Sequence, residues 1–540
     1  MEFIKECDIQ LHSSPNVLPY QVVDDPRSYD KFGKRSEAPQ QLTSEKFGLF
    51  TIALKCAPMR EGPFHFVFTI DTTLSMTEND STGITKMEYM KETLIKMLDY
   101  LEDLDPQIYV TIYTFNETSK LVINNILLNK GSVIFIKEFI KEFKPENRTN
   151  IQIALETAKT VTEKIKNDFP DRQIAHIFMT DGEANVGITN PNILADLINT
   201  SLPNVFIGFG KDHNSKTLRR FAECKKCEYY FVDNLENSVL VYAESIHNIL
   251  CGVFYDVEFH ISNGELYDYQ KNEWTNVLYE NVLSSESNKF YQLKTRHPED
   301  VEVYVICGNT TIDIGTPLPD LYDENGELLL TDLTKYAYRK KVQELLFLVK
   351  ELSDLLEDSN ELSHNSINPS REYEFAMESN NYLEETSKKL EIEMQNVFNS
   401  IRQYMCDNKL MDDPLLRLLC DDLYVTIKTL KLGIETSGMY AAARQTSQGR
   451  QRSYNVGSSV PETVNYDDIP RLVRGTNDPY DFQNYTLDRS TTTCFASPTM
   501  IDAFRKVSQT MTESLLPHSS DQDVTIPIDS QSPISQDFEY

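Results

Sequence analysis

The sequence predicts an α/β fold with a doubly wound, mostly parallel sheet, flanked by a small all-β sandwich module, a helical region and a disordered C-terminal tail. Three observations predict this arrangement. Apolar strands alternate with amphipathic helices over residues 63–252, short strands with turn signals follow over 253–320, and leucine-striped helical segments occupy 330–437. Alternating strands and helices are typical of a parallel sheet whose two faces are covered by helices.

Two segments precede the α/β unit. Residues 1–43 mix polar residues with prolines and are predicted to be loosely ordered. Residues 44–62 contain the strand-like segment KFGLFTIALKCA. Because no helix joins this strand to the α/β unit, we expect it to pair with strands of the later β module.

The α/β unit over residues 63–252 has six predicted strands with helices between them. The strands are FHFVFTI, IYVTIYTF, KLVINNILL, QIAHIFMT, NVFIGFG and YYFV. The helical segments carry apolar residues at spacings of three and four, and they are KMEYMKETLIKMLDYLE, GSVIFIKEFIKEF, NIQIALETAKTVTEKI, NILADLINTS and NSVLVYAESIHNIL.

The rest of the chain changes character twice. Residues 253–320 contain five short strands, YDVEFHIS, NGELYDY, KFYQLKT, DVEVYVIC and TTIDIGTP, which predict a sandwich. Residues 330–437 predict a helical hairpin or bundle with a polar break near NELSHNSINPS. Residues 438–540 are rich in Ser, Thr, Asp, Gln and Pro and predict a mostly disordered tail, with one short helix at SPTMIDAFRKVSQTM.

Composition narrows the function and the location. The 540-residue chain carries a formal net charge of −31, which argues against a nucleic-acid-binding surface, because phosphates need a concentrated positive face. The nine cysteines are scattered and odd in number, as is usual for reduced intracellular thiols. The sequence shows neither a secretory signal nor an apolar run of membrane-spanning length. We therefore expect an intracellular (cytoplasmic) protein, or one enclosed in a virus particle.

Small oxygen donors follow two of the predicted strands. Asp71 ends the first strand of the α/β unit, with Thr73 and Ser75 at alternate positions after it, and Asp181 follows the strand QIAHIFMT. Thr149 lies in a polar loop that leads into a helix. The carboxyl ends of strands in open α/β sheets form ligand sites, so we expect these five side chains to lie on one face.

The donor chemistry of this set points to a hard metal ion. Two carboxylates and three hydroxyls, without sulfur or imidazole, select Mg²⁺ or Mn²⁺, with Ca²⁺ less favoured, over zinc or copper. The hydroxyls are neutral, so the ion would keep an affinity for one further anionic ligand. The set therefore predicts a site at which a metal ion binds an acidic group of a partner.

The same segments resemble a known family. Asp71-Thr72-Thr73-Leu74-Ser75, Thr149 before a helix, and Thr180-Asp181-Gly182, in this order, resemble the metal-ion-dependent adhesion site (MIDAS) of von Willebrand factor A (VWA, VWFA) domains. The resemblance implies that the three hydroxyls ligate the metal and that the two carboxylates act directly or through water. It also implies a non-enzymatic, Rossmann-like domain that binds a protein partner through an acidic residue. Thr73 stands where the family more often has serine.

The flanking regions extend the resemblance. A strand before the domain and a β module after it are similar to intracellular members of the family, including some plant RING-type ubiquitin ligases and inter-alpha-trypsin-inhibitor-like chains. The helical region and the polar tail resemble uncharacterised large-virus and protist members. The sequence has no RING-type array of cysteines and histidines, so ligase activity is not implied.

Two alternative functions stay open at this point. A strand ending in Asp-x-Thr also resembles Mg²⁺-dependent phosphatases of the haloacid-dehalogenase type, although most of those carry a second aspartate where this chain has Thr73. A metal-free structural scaffold is the other alternative. Taken one at a time, the oxygen donors also suit helix caps and turns, and only their combination favours a metal site.

Other residues with chemical potential have simpler interpretations. Cys224 and Cys227 form one CxxC motif without a second pair, which is weak support for a metal or redox role. His176 lies inside a predicted strand and is expected to be a core histidine. His213 is expected to be a loop histidine, although it follows a strand on the side of the predicted metal site.

Overall fold

The computed structural model describes residues 4–12, 46–79, 83–104, 107–182, 184–210, 213–232, 235–308, 310–313, 330–364, 369–454, 482, 485–487 and 492–515. Residues 13–43 of the loose segment predicted over residues 1–43 lie outside these ranges, as does most of the predicted disordered tail. None of the helices in the described ranges combines the length and the apolar character needed to cross a membrane.

The α/β domain is built on a six-stranded sheet. Two strands precede this domain in the chain, β1 (Ile4–His12) and β2 (Lys46–Leu54), and both belong to a separate β-sandwich. The elements of the α/β domain are β3 (Phe64–Asp71), α1 (Lys86–Glu102), β4 (Ile108–Phe115), β5 (Ser119–Leu127), α2 (Lys130–Lys141), α3 (Ile151–Asp168), β6 (Gln173–Thr180), α4 (Pro191–Ala195), β7 (Asn204–Phe209), α5 (Ser215–Ala222), β8 (Cys227–Val232) and α6 (Leu235–Cys251). The strand order is β5-β4-β3-β6-β7-β8, and all pairs are parallel except that of the edge strand β5. This confirms the predicted α/β fold.

The central strand β3 is buried on both faces. Successive side chains of a strand point to opposite faces, so Phe66 and Phe68 pack in the large core that includes residues of α1. Val67 instead lies in a smaller cluster with Ile165 of α3. Because helices cover both faces, all eight residues of β3 are buried. Asp71 therefore leaves the sheet from inside the core and not from its rim.

The sandwich module consists of two facing sheets. Its later strands are β9 (Gly252–Ser262), β10 (Gly264–Asp268), β11 (Glu273–Thr275), β12 (Val277–Ser284), β13 (Asn288–Thr295), β14 (Glu302–Cys307), β15 (Thr310–Asp313) and β16 (Leu330–Thr331). One sheet has the order β11-β10-β13-β2-β1-β16 and the other β12-β9-β14-β15. The rings of Phe50 on β2 and Phe259 on β9 meet at 5.6 Å between the sheets. The segment before the α/β domain thus completes the module that follows it.

The first strand of the sandwich corrects a prediction. The sequence predicted a loosely ordered segment over residues 1–43, and this is wrong for Ile4–His12, which form β1 antiparallel to β2. Ile9 and Leu11 on alternate positions are buried. Asp8 and Gln10, which alternate with them, are half-exposed, so the strand has the period-two pattern of a half-buried strand.

The described C-terminal part of the chain, from residue 332 on, is mainly helical. Its helices are α7 (Thr334–His364), α8 (Pro369–Asp407), α9 (Pro414–Leu430), α10 (Ile434–Gly449) and α11 (Pro498–Leu515). The leucine stripe of α7 packs with α8 and α9 in a shared core that contains Leu345, Leu390 and Leu419. Helix α11 packs elsewhere, because its Met500 and Phe504 lie in the core of the α/β domain.

The start of the predicted tail is a second correction. A mostly disordered tail was predicted from residue 438, and this is wrong for residues 438–454, which are mostly buried. A Cβ atom at Gly438 would lie 2.1 Å from Cβ of Ser353, so the missing side chain is what lets α10 pack closely on α7. Beyond the helix, Arg452 donates to Glu228 of β8 at 3.2 Å. Small and polar residues that resemble a linker therefore serve close packing and buried ion pairs.

One buried ion pair in this region gives a stability prediction. Arg444 of α10 donates to Asp422 of α9, and both side chains are almost completely buried. Arg444→Met should lower the free energy of unfolding by about 3–5 kcal/mol, because it leaves a buried carboxylate without its partner. Chemical denaturation measures the loss, and adding Asp422→Asn to the same chain should recover much of it. The control is Arg417→Met on the exposed face of α9, and a loss at Arg444 as small as at Arg417 would contradict the prediction.

Candidate metal centre

Asp71 is the most deeply buried of the predicted site residues. It is the last residue of β3, between the parallel strands β4 and β6, and is completely buried. Its Oδ1 atom accepts a hydrogen bond from the backbone N–H of Thr73 at 2.9 Å. Its Oδ2 atom accepts one from Oγ1 of Thr180 at 2.5 Å. Thr180 ends β6, so this bond joins the two loops that carry the predicted carboxylates.

The two hydroxyls after Asp71 connect it to the second carboxylate. A short 3-10 helix over Leu74–Thr77 follows β3 and turns the chain across the end of the sheet. The hydroxyl oxygens of Thr73 and Ser75 lie 3.0 Å apart. Ser75 in turn donates to Oδ1 of Asp181 at 2.9 Å. Three of the predicted residues therefore form one hydrogen-bonded row.

Thr149 reaches the same place from the loop before α3. Asn185 fixes this loop, because its side chain accepts from the N–H of Thr149 at 2.9 Å and its own N–H donates back to the carbonyl of Thr149 at 3.0 Å. A Cβ atom at Gly182 would lie 3.2 Å from Oγ1 of Thr149 and 3.1 Å from Oδ2 of Asp71. The hydroxyl of Thr149 and the carboxylate of Asp71 therefore converge on Gly182.

The convergence on Gly182 gives a second prediction. Gly182→Ala places a methyl group 2.9 Å from Cγ2 of Thr149. This group should push the side chains of Thr149 and Asp71 apart. We expect at least a tenfold loss of Mn²⁺ affinity in calorimetric titration, with an unchanged circular dichroism spectrum. Gly131→Ala on α2 is the matched control and should bind Mn²⁺ normally. Equal Mn²⁺ affinity of the two variants would contradict the prediction.

Lys86 belongs to the site, although the sequence did not predict it. Its Nζ atom lies 3.0 Å from Oδ2 of Asp181 and donates to Oε2 of Glu78 at 2.5 Å. Lys86 is the first residue of α1, after the N-cap Thr85. A cation in the first turn opposes the helix dipole, and this unfavourable placement is the sequence signal that could have identified it.

The two carboxylates are held in an environment that disfavours their charge. Burial and the nearby charge of Asp181 raise the pKa of Asp71 to about 7. Burial also raises the pKa of Asp181, although the ammonium of Lys86 and the hydroxyl of Ser75 oppose this effect. One ammonium, shared with Glu78, therefore faces two buried carboxylates. A divalent cation would supply the missing positive charge.

The residues present fit a hard divalent cation. The structure brings all five predicted residues, Asp71, Thr73, Ser75, Thr149 and Asp181, to one edge of the sheet, and all their donor atoms are oxygens. In the described part of the chain, no group of three or more His, Cys, Asp or Glu side chains is arranged to hold a metal ion. A metal at this edge would therefore depend on the hydroxyls, and its ligation by these residues stays a prediction.

The two histidines considered above have structural partners. His176 lies in β6 between Oγ1 of Thr69 at 3.0 Å and Oδ1 of Asn204 at 3.1 Å, and burial lowers its pKa to about 4. His213 contacts the carbonyl of Gly210 at 2.6 Å and the hydroxyl of Tyr229. Both imidazole rings therefore form hydrogen bonds that stabilise the fold.

The cysteines are free thiols. All nine lie in described residues and none is in a disulfide. Cys224 and Cys227 lie in one turn, in which the backbone N–H of Cys227 donates to the carbonyl of Cys224 at 3.2 Å, and Cys227 is buried. No third or fourth metal-binding side chain accompanies this pair among the described residues.

Parts of this chain are similar to known proteins. The von Willebrand factor type A domain family model matches residues 66–244. Inter-alpha-trypsin inhibitor heavy chain H3 of Homo sapiens is 25% identical over 168 residues, which cover 30% of this chain and 18% of that protein. The same chain of Bos taurus is 26% identical over 222 residues, which cover 39% of this chain and 23% of that protein. The chain thus spans about a fifth of the length of these relatives.

Solved structures of low sequence identity are also similar. A von Willebrand factor type A protein from Catenulispora acidiphila is 14% identical, with a TM-score of 0.40, and the match covers 59% of this chain and 79% of that chain. The ArnB paralog VWA2 from Sulfolobus acidocaldarius is 13% identical, with a TM-score of 0.39, and the match covers 75% and 94%. The family match, together with the strand order β5-β4-β3-β6-β7-β8, identifies residues 66–244 as a von Willebrand factor type A domain.

Proposed function

We propose that this protein is a non-enzymatic interaction protein whose von Willebrand factor type A domain binds a partner protein through a divalent metal ion. Asp71, Thr73, Ser75, Thr149 and Asp181 would hold the ion, with Mg²⁺ or Mn²⁺ favoured by the oxygen donors. The bound ion would supply a Lewis-acidic centre for one acidic side chain of the partner. The convergence of two buried carboxylates and three hydroxyls on one sheet edge is the observation that supports this most.

Hydrogen bonds within the protein hold both carboxylates of the site in place. Thr180 and the N–H of Thr73 hold the Asp71 carboxylate, and Ser75 holds that of Asp181. Such fixed hydrogen bonds reduce the ordering cost of binding. Thr73 contributes its hydroxyl to this row in spite of its extra methyl group, since its oxygen lies 3.0 Å from that of Ser75.

The rim of the site offers a second contact to a partner. Leu74 lies between Thr73 and Ser75, and 56% of it is exposed. An apolar side chain beside a polar anchor is a usual feature of protein interfaces. We therefore expect a partner that places an apolar residue next to its acidic residue.

The phosphatase alternative lacks a proton-transfer group at the expected position. The residue two places after Asp71 is Thr73, whose hydroxyl is engaged with Ser75. A threonine hydroxyl is a poor general acid or base at neutral pH. We expect no Mg²⁺-dependent hydrolysis of p-nitrophenyl phosphate, and turnover that disappears in Asp71→Asn would favour the phosphatase.

Carboxylate capture can be tested with a blocked peptide. Mn²⁺-loaded protein is titrated with Ac-Gly-Glu-Gly-NH2 while water proton relaxation is recorded. The glutamate should displace water from the metal and lower the relaxation enhancement, whereas Ac-Gly-Gln-Gly-NH2 should leave it unchanged. Metal binding without a difference between the two peptides would contradict the proposal, and absence of metal binding would favour the metal-free scaffold.

A further inference from the structure

A second candidate site lies at the opposite end of the α/β sheet. A cleft of about 780 Å³ is lined by the end of α3, the start of β6, the loop before β7 and Tyr255 of the sandwich strand β9. Phe64, the first residue of β3, lies in its wall, whereas Asp71 is the last residue of that strand. At about 3.3 Å per residue, the two sites are separated by about 23 Å along β3.

The charge of this cleft differs from that of the chain. Its lining residues include four cations, Arg60, Lys166, Arg172 and Lys226, and two carboxylates, Glu163 and Asp171. Lys226 is already paired with Asp256 at 3.2 Å, which leaves three cations to the cleft. The whole chain has a formal net charge of −31. A locally positive concave surface attracts small anions, whereas the acidic surface of the rest of the chain repels them.

Arg172 is the most deeply buried of the four cations that line the cleft. Its guanidinium lies 3.5 Å from the ring centre of Tyr109 and 3.8 Å from that of Phe169, and the residue is 7% exposed. Nη1 donates to Oδ1 of Asn125 at 2.5 Å and to Nδ1 of His65 at 3.1 Å. Neither partner is charged. Asn125 is an amide, and burial together with the charge of Arg172 lowers the pKa of His65 to about 3.

Among the described residues, Arg172 has no carboxylate as an ion-pair partner. Within the described ranges, no acidic side chain lies within ion-pair distance of its guanidinium. A buried cation without a counter-ion is costly, and proteins usually pair such a charge. A planar guanidinium matches a phosphate or carboxylate group in particular. An anion in the cleft would satisfy this charge.

The remaining wall suits an organic body attached to the anion. Apolar side chains share the lining with the cations, namely Phe64, Ile174, Leu202 and Ile249. Oε1 of Gln173, in the same wall, is buried and has no hydrogen-bond donor among the described residues. The volume lies within the usual range of small-molecule sites, about 300–1,000 Å³.

We propose that this cleft binds a small organic anion, a phosphate or carboxylate carried on an apolar body, with Arg172 and Lys166 as its ion-pairing residues. The site is separate from the metal centre and does not depend on it. Its ligand would contact both the α/β domain and Tyr255 of the sandwich.

Calorimetric titration in EDTA at constant ionic strength tests this proposal. The probes are phenyl phosphate, phenylacetate and inorganic phosphate. One or both aromatic anions should bind saturably at one site, at least tenfold more tightly than inorganic phosphate, and the comparison between them identifies the preferred head group. Absence of saturable binding by both aromatic anions would overturn the proposal.

Variants locate the binding. Arg172→Gln should reduce the affinity for the bound anion at least tenfold, and the exposed Lys166→Glu should do the same without affecting folding. The matched control is Lys388→Glu on the surface of α8, which should bind like the wild type. Unchanged binding by Lys166→Glu would overturn the proposal even where Arg172→Gln fails to fold. Binding of only a triglutamate peptide, and of neither aromatic anion, would also overturn it in favour of an acidic peptide.

Discussion

Asp71→Asn is expected to abolish metal binding while making the metal-free protein more stable. The pKa of Asp71 is raised from its ordinary 3.8 to about 7, mainly by burial. The stability that this group contributes is therefore complete below about pH 3.8 and is lost as the pH rises through 7. At pH 8 the buried charge costs on the order of 4 kcal/mol, which asparagine removes without changing the shape of the side chain.

Thermal unfolding at pH 8 with EDTA and with Mg²⁺ measures both effects. In EDTA, Asp71→Asn should melt several degrees above the wild type, and the difference should shrink at pH 5, where the wild-type carboxyl is protonated. Addition of Mg²⁺ should raise the melting temperature of the wild type only. The control is Asp412→Asn, whose side chain is 99% exposed. A lower melting temperature of Asp71→Asn in EDTA would contradict the account of the buried charge.

Lys86→Met is expected to have the opposite pair of effects. Removal of the ammonium leaves Asp181 as a buried carboxylate without its ion-pair partner, which should cost about 3–5 kcal/mol in EDTA. The same change removes a positive charge that repels an incoming cation. We therefore expect Mg²⁺ to bind about tenfold more tightly to the variant and to restore most of its stability.

Denaturant unfolding and calorimetry, each with and without Mg²⁺, test this second prediction. Lys141→Met on α2 removes an exposed ammonium from the same domain and should change neither quantity by much. Weaker Mg²⁺ binding by Lys86→Met would mean that Lys86 supports the metal site and does not compete with the metal. An unchanged stability in EDTA would mean that Asp181 is not charged in the metal-free protein.

Much of the α/β domain could be predicted from the sequence because its strands are apolar and its helices amphipathic. The helix predicted at KMEYMKETLIKMLDYLE has the same bounds as α1. Parallel strands of buried residues are continuous apolar segments, and Phe64–Asp71 is the clearest of them. The carboxyl ends of such strands lie at one edge of the sheet, which is why the sequence alone predicts that Asp71 and Asp181 lie close together.

Features that depend on contacts between distant segments could not be predicted. Lys86 meets Asp181 across 95 positions of the chain, and the pairing depends on how α1 packs. In the sequence, Gly438 is typical of a flexible tail, and only the structure shows that it packs against Ser353 of α7. Arg172 looks like a surface residue of a turn, and only the fold places it between two aromatic rings.

Calorimetric titration of Mg²⁺ and Mn²⁺ into the metal-free full chain at pH 8 tests the central claim most directly. The account predicts saturable binding of one ion per chain by the wild type and by Asp412→Asn, and no binding by Asp71→Asn. Absence of saturable binding to the wild type, or equal binding by Asp71→Asn, would contradict a metal site built from Asp71, Thr73, Ser75, Thr149 and Asp181.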